Sequence, residues 1–278
     1  VKGEDAQGVY GGIDFLRSVI QGKPAEIGDR VAVCGGGNTA MDACRTAVRL
    51  GAKEVYVIYR RTEKEMPAEE IEIKESKEEG VIYKFLTNPV EIHSEDGKVC
   101  GMTLQLMELG EPDASGRRKP VAIEGKTEYL PLDSVIMAIG QKLDSSDFEN
   151  VVGLTDHGTI RADEDTFTTD IDGVFAIGDA TNKGASIAIA AIGEADRCVK
   201  IVDAYLNDEE LDLTPKYISK RDEDRIDLSG KEPVARTNAK VLDAEIRRNN
   251  FDEVSLGLAV DEAQKEAQRC LECGCREY

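Results

Sequence analysis

The chain has 278 residues, room for one large domain or two ordinary ones. Hydrophobic residues make up 41% and charged residues 32%, the balance of a soluble globular protein. Lys plus Arg is 35 against 55 Asp plus Glu, a net charge of −20 that argues against a general nucleic-acid or anionic-membrane binder. No apolar run approaches the ~20 residues of a membrane span, no signal-peptide pattern opens the chain, and Trp is absent. The expectation is a cytoplasmic protein with no nucleic-acid or membrane partner.

In chain order, Val1-Lys2-Gly3-Glu4-Asp5 reads as the middle of a loop, without a start Met, so the chain is expected to begin inside a longer protein. Ile13 to Ile20 carries a short helical pattern. Arg30 to Cys34 (RVAVC) is an apolar strand, followed by Gly35-Gly36-Gly37 and a helix over 38–50 with Ala40, Ala43, Ala47 and Leu50 on one face. Gly51 stops that helix, and Glu54 to Tyr59 (EVYVIY) is a second, β-branched strand. This is a βαβ unit of a parallel sheet. A charged helix follows over 68–79, then a third strand from Val81 to Leu86. Asp96-Gly97 marks a hairpin into a strand from Val99 to Leu109. Residues 110–119 read as a polar loop, and Ser134 to Ile139 as a buried strand ending at Gly140. Gly173 to Ile177 is the last expected strand. A small-residue helix runs from Gly184 to about Leu206, and further helical runs lie near 239–248 and over Asp261 to Cys270.

Three motifs carry chemistry. Gly35-x-Gly37-x-x-Ala40 follows a strand and opens a helix, the context in which backbone N–H groups meet a dinucleotide pyrophosphate. Gly35 permits the turn, Gly37 the close approach, and Ala40 the helix–strand packing. At the end of the next strand, an Asp or Glu would meet a free ribose 2′-hydroxyl; Arg60-Arg61 stands there instead. Guanidinium forks suit a 2′-phosphate, which favours NADPH over NADH; the plain alternative is two solvated surface charges. Gly178-Asp179, at the end of the Gly173–Ile177 run, precedes a helix start at Ala185-Ser186. An Asp there can accept from ribose or ribityl hydroxyls, and a helix N-terminus can stabilise a reduced flavin ring. The bland alternative is an Asp-capped βα turn.

Of seven Cys, Cys34, Cys44, Cys100 and Cys198 read as buried single thiols, whereas Cys270, Cys273 and Cys275 crowd into a C-x-x-C-x-C run. Three thiolates so spaced can reach one iron–sulfur cluster or zinc ion, with a fourth ligand still to be supplied; the alternative is an unmetallated tail. His93 and His157 sit among turn-like polar residues, so a Ser-His-Asp hydrolase or multi-His metal site is not expected.

With these residues in view, the chain resembles the small (beta) subunit of NADPH-dependent glutamate synthase and related NADPH-binding flavoproteins. The matching stretches are GEDAQGVYGGIDFL, VAVCGGGNTAMDACRTAVRLGAKEVYVIYRRTEKEMPA, LTNPVEI, MELGEPDASGRRKPV, AIGQ, GVFAIGDA and GASIAIAAIGEAD, within residues 3–206. The tail from Phe251 to Cys275 resembles the end of some members, where it leads toward an iron–sulfur segment. The resemblance implies an α/β fold. Residues 1–24 would be a linker and helix from an FAD domain, and 25–141 a Rossmann-like NADPH domain with a parallel sheet and a β-hairpin or meander insertion. Residues 142–210 would be the C-terminal part of the FAD domain, and 211–278 a charged helical tail with the Cys cluster.

It also implies site residues. Gly35, Gly36, Gly37, Asn38, Thr39 and Ala40 would hold the NADPH pyrophosphate, and Arg60 and Arg61 the 2′-phosphate. Gly178 and Asp179 would face FAD, Ala185, Ser186 and Ile187 would lie near its ring, and Gly140 and Gln141 would sit at the domain junction. The family's first FAD element, an upstream GxGxxG, has no counterpart in residues 1–24, so the FAD site is incomplete in this chain. No redox C-x-x-C lies by the flavin residues, so disulfide reduction is not implied. The implied activity is hydride transfer from NADPH to FAD, with electrons passed to iron–sulfur centres, ferredoxin or a glutamate synthase large subunit. The other open readings are an NADPH-binding module and an assembly subunit without activity of its own.

Overall fold

The computed structural model describes residues 1–112, 116, 118–140, 143–182, 184, 186–209 and 232–270. Two compact units emerge: residues 1–140 with 235–268, and residues 141–234 with 269–278.

The first unit is built on a five-stranded, all-parallel sheet. Its strands are β1 (Val9–Gly11), β2 (Arg30–Cys34), β3 (Glu54–Tyr59), β4 (Ile82–Phe85) and β8 (Ser134–Met137), in spatial order β1-β8-β2-β3-β4. Between β4 and β8 the chain makes an antiparallel three-stranded sheet of β5 (Thr87–Glu95), β6 (Lys98–Pro112) and β7 (Arg118–Pro131). Asp96 and Gly97, at φ +50° and +78°, form the two-residue hairpin between β5 and β6.

β2 shows how the layers meet. Successive side chains point to opposite faces of a strand. Val31 and Val33 pack with Ala40, Ala43 and Ala47 of α2 (Asn38–Arg49), while Ala32 and Cys34 pack with Met102 and Leu104 of the antiparallel sheet. Val31 to Cys34 are all fully buried, as a parallel strand covered on both faces requires. The helices α1 (Gly12–Ile20), α2 and α3 (Glu70–Glu78) follow β1, β2 and β3.

Several findings differ from the sequence reading in this unit. β1 was not expected and has only three residues, and β7, the further strand of the expected meander, had no range assigned and is exposed along most of its length. Part of the expected 110–119 loop is strand, because Pro112 pairs with Arg118. Residues 1–24 belong with the first unit rather than the second, since β1 pairs with β8. Most of the expected helical tail has no described helix; its described part, 232–270, carries only α5 (Ala244–Arg247) and α6 (Val260–Ala267), and residues 210–231 lie outside the described residues.

The second unit holds one long helix, α4 (Ala188–Asn207), and isolated bridges Leu154↔Ile160, Ile160↔Thr181 and Thr168↔Phe175. Phe167 is its most buried apolar side chain among the described residues, with the Arg197 guanidinium 5.1 Å from its ring centre. The expected strand Gly173–Ile177 is not one. Its backbone groups are met locally, by Thr169 N–H to the Val174 carbonyl and Ala176 N–H to the Phe167 carbonyl, rather than by a sheet ladder. The helix also starts later than expected, at Ala188. Asp179 Oδ1 accepts from the Ser186 N–H at 3.1 Å, and Ile187 stays extended at φ −85°, ψ 148°.

Candidate functional site

The glycine loop sits where β2 gives way to α2. Gly35 has φ +147°, and a Cβ there would lie 2.3 Å from the Ala138 carbonyl oxygen, a backbone atom with no room to yield. A Cβ on Gly36 would meet the Tyr59 ring at 2.5 Å. Gly37 is different: its Cβ position faces nothing nearer than Pro67 Cγ at 4.0 Å, so the backbone can be approached closely from that side.

Gly37 is the N-cap of α2 and brings no side chain to bond the first turn. Its carbonyl accepts from Ala40 N–H at 2.9 Å and Met41 N–H at 3.2 Å. Asn38, Thr39 and Ala40 thus open a twelve-residue helix at the carboxyl edge of a parallel sheet, where partial positive charge accumulates. Asn38 is exposed, Thr39 half-buried, and Ala40 fully buried in the helix–sheet core.

The loop after β3 is fastened to this glycine loop, which the sequence reading missed. Ala68 N–H donates to the Gly36 carbonyl at 3.2 Å, and Glu69 N–H to Asn38 Oδ1 at 3.0 Å. Tyr59, whose ring underlies Gly36, donates from its hydroxyl to the Glu65 carbonyl at 2.7 Å. Glu65 closes a capping box with Thr62. That bond from Thr62 holds the Glu65 carboxyl below the usual carboxylate range. The T-x-x-E spacing was the available signal.

The two arginines of that loop differ. Arg60 is exposed. Arg61 is 6% exposed, and its Nε donates to the Arg118 carbonyl of β7 at 2.7 Å. Gly140 follows β8, exposed, at φ +99°; Gln141 lies outside the described residues.

In the second unit, Gly178 N–H donates to Glu194 Oε2 at 2.7 Å, and Asp179 and Ser186 meet through the bond already given. Ile187 is the N-cap of α4 and is 64% exposed. Ala185 lies outside the described residues. α4 also exposes Ile189, Ile192, Val199 and Leu206.

Cys270 is exposed, and Cys273 and Cys275 lie outside the described residues. Among the described residues no cluster of His, Cys, Asp and Glu is arranged to hold a metal ion. Cys34 and Cys44 are buried, and burial pushes both thiols up to about 12, which keeps them protonated and unreactive near neutral pH. His93 bonds the Thr103 hydroxyl within the antiparallel sheet, away from the glycine loop. No described helix is long and apolar enough to cross a membrane.

The model of the family described as pyridine nucleotide-disulphide oxidoreductase matches residues 1–195. The NADP(+)-dependent formate dehydrogenase subunit beta of Moorella thermoacetica is 39% identical over 98% of this chain and 40% of its own length. The NADPH-Fe(3+) oxidoreductase subunit beta of Geobacter sulfurreducens is 37% identical over 98% of the chain and 46% of its own length. The glutamate synthase [NADPH] small chain of Escherichia coli is 38% identical over 74% of the chain and 47% of its own length. The chain therefore spans less than half the length of these curated relatives. Among solved structures, FprA of Mycobacterium tuberculosis matches with a TM-score of 0.59 at 19% identity, over 75% of this chain and 61% of that one. Thioredoxin reductase of T. acidophilum matches at 0.51 and 23%, over 66% and 53%. These two speak to the fold, a parallel sheet joined to an antiparallel one. By the extent of the family match, the chain belongs to the pyridine nucleotide-disulphide oxidoreductase family.

Proposed function

We propose that this chain binds NADPH through its first unit and contributes half of an FAD site through its second, as part of a larger NADPH-dependent oxidoreductase. The observation that carries the reading is the open N-terminus of α2: a glycine N-cap, clear space above Gly37, and an exposed Arg60 at the end of the next strand. Those residues fit a dinucleotide. The N–H groups of Gly37, Asn38 and Thr39 would donate to the pyrophosphate, with Gly35, Gly36 and Ala40 shaping the loop beneath. Arg60 would meet the 2′-phosphate from the exposed side, and Arg61, anchored on the Arg118 carbonyl, would back the same loop.

For FAD the residues present fit a half-site. Gly178, Asp179, Ser186 and Ile187 lie together just before α4; Gly140 is assigned to the same cofactor, as are Ala185 and Gln141, which lie outside the described residues. When bound, the nicotinamide supplies a hydride and the flavin takes it up and releases single electrons. The chain's own part is to bind and orient; hydride transfer needs no protein acid or base, which suits a site without a histidine. Cys270, Cys273 and Cys275 would ligate an iron–sulfur cluster completed by a fourth ligand. Relatives whose names make them a subunit beta or a small chain support a partner: a glutamate synthase large subunit, or a ferredoxin-type iron–sulfur protein.

Titration separates the reading from a generic α/β turn. NADPH should bind at least ~10-fold more tightly than NADH, and Arg60→Ala should weaken NADPH by about the same factor while leaving NADH unchanged. Equal affinities for the two nucleotides would overturn the 2′-phosphate assignment. The exposed apolar side chains of α4 favour a second reading, a nucleotide-binding module or assembly subunit without activity of its own. A stoichiometric flavin spectrum of the purified chain rules it out.

A further inference from the structure

Residues 235–268 fold onto the nucleotide unit, yet they bury almost nothing of their own. Ile246, Phe251, Leu256 and Val260 are more than half exposed. Among the described residues 232–270, Arg247 alone is buried, at 3% exposure. A segment is being held down by a charge rather than by apolar surface.

The charge enters a prepared socket. Glu79, the C-cap of α3, is fully buried. From α2 it accepts Arg45 Nη2 at 2.7 Å and Arg49 Nη1 at 2.9 Å. Arg247, 168 residues further along the chain, adds its Nε at 2.9 Å. The same guanidinium reaches Glu78 Oε2 at 2.6 Å and the Glu75 carbonyl at 3.3 Å, and turns back to the Leu242 carbonyl at 2.9 Å. All its nitrogens are engaged, as a buried guanidinium requires.

From Arg247 the ties run on to α6. The segment closes on itself through Leu242 N–H to the Val254 carbonyl and Leu256 N–H to the Lys240 carbonyl. Lys240 then pairs with Glu262 of α6 at 3.3 Å, and Thr237 N–H bonds Glu266 of α6 at 2.8 Å. α6 ends three residues before Cys270. We propose that residues 235–268 are a detachable strap, pinned to the α2–α3 face by Arg247, and that this pin holds the strap, α6 included, to the rest of the first unit. Removing Arg247 leaves Glu79 its two partners from α2, so that carboxylate stays paired while the strap loses its hold. The inference rests on packing alone and does not depend on NADPH being the ligand.

Hydrogen exchange on the full chain tests it, with Arg247→Ala and the milder Arg247→Gln, each also titrated with NADPH. In both variants the amides of Leu242, Leu256 and α6 should exchange on the order of 100-fold faster, while α2 and β2 keep their rates. Nucleotide affinity, whatever its value in the parent chain, should not change. Unchanged protection of the strap would overturn the proposal. So would equal acceleration across α2 and β2, or failure of both variants to fold, since Arg247 would then be a brace of the core rather than a pin. Absence of NADPH binding in the parent would sink the functional reading and leave the strap to be judged by exchange.

Discussion

The segment around β2 and the segment around α4 carry comparable apolar runs, VAVC and AIAAI, yet they are buried to opposite degrees. Val31 to Cys34 are sealed between helices and an antiparallel sheet, while Ile189 and Ile192 are more than 60% exposed. Composition is not what separates them. The first segment finds both covering layers within residues 30–138 of the same chain, through short-range βαβ closure and a hairpin insertion. Among the described residues, α4 packs on the turns of residues 145–182. Apolar pattern marks which face is meant to be covered; what covers it is a matter of topology.

The sharpest way to break that contrast is at the ionic socket of the well-covered unit. Glu79→Ala leaves three buried guanidinium groups without their shared carboxylate and should lower unfolding stability by about 3–5 kcal/mol, read by urea denaturation of the first unit. A loss below ~1 kcal/mol would mean the network is solvent-screened. Met41→Ala, in the core between α2 and the sheet, should cost about 2–5 kcal/mol.

Acid provides a smaller, graded version of the first experiment. Burial would raise the Glu79 carboxyl, but hydrogen bonds from Arg45, Arg49 and Arg247 outweigh it and hold the group below the usual range. Glu72, Glu75 and Glu78 face the same guanidinium groups. With the folded value depressed, the carboxylate's contribution is complete above the unfolded value of about 4.3 and is lost as pH falls through the folded one. Stability measured from pH 6 down to 2 should fall more steeply in the parent than in Glu79→Gln; matching slopes would contradict the shift. At the other end of the scale, Ile192→Ala on α4 should change stability by less than ~0.5 kcal/mol, despite removing more side chain than many core substitutions. A large loss there would show α4 to be covered in solution.

The same contrast explains what could be read from the residues. The β2–glycine–α2–β3 run was legible to the residue because strand period, helix period and glycine stops agree along it. The hairpin at Asp96-Gly97 was legible from turn chemistry. The range of β7 was not, because most of its residues are exposed and no apolar face alternates along it. Gly173–Ile177 misled in the opposite way: an apolar pentapeptide looks like a strand wherever it stands, but a strand needs a ladder partner. Arg60 and Arg61 are neighbours in sequence, yet one of them is drawn inward, with a bond to the Arg118 carbonyl 57 residues away. Arg247 and Glu79 are linked by nothing shorter than the fold itself.

The central claim is that the triglycine loop and the start of α2 hold a dinucleotide diphosphate. A crystal of this chain soaked in NADPH tests it most directly. Density should place the diphosphate within hydrogen-bond reach of the Gly37, Asn38 and Thr39 N–H groups, with the 2′-phosphate beside Arg60. Clear density with the nucleotide elsewhere, or an empty loop at saturating NADPH, would contradict it.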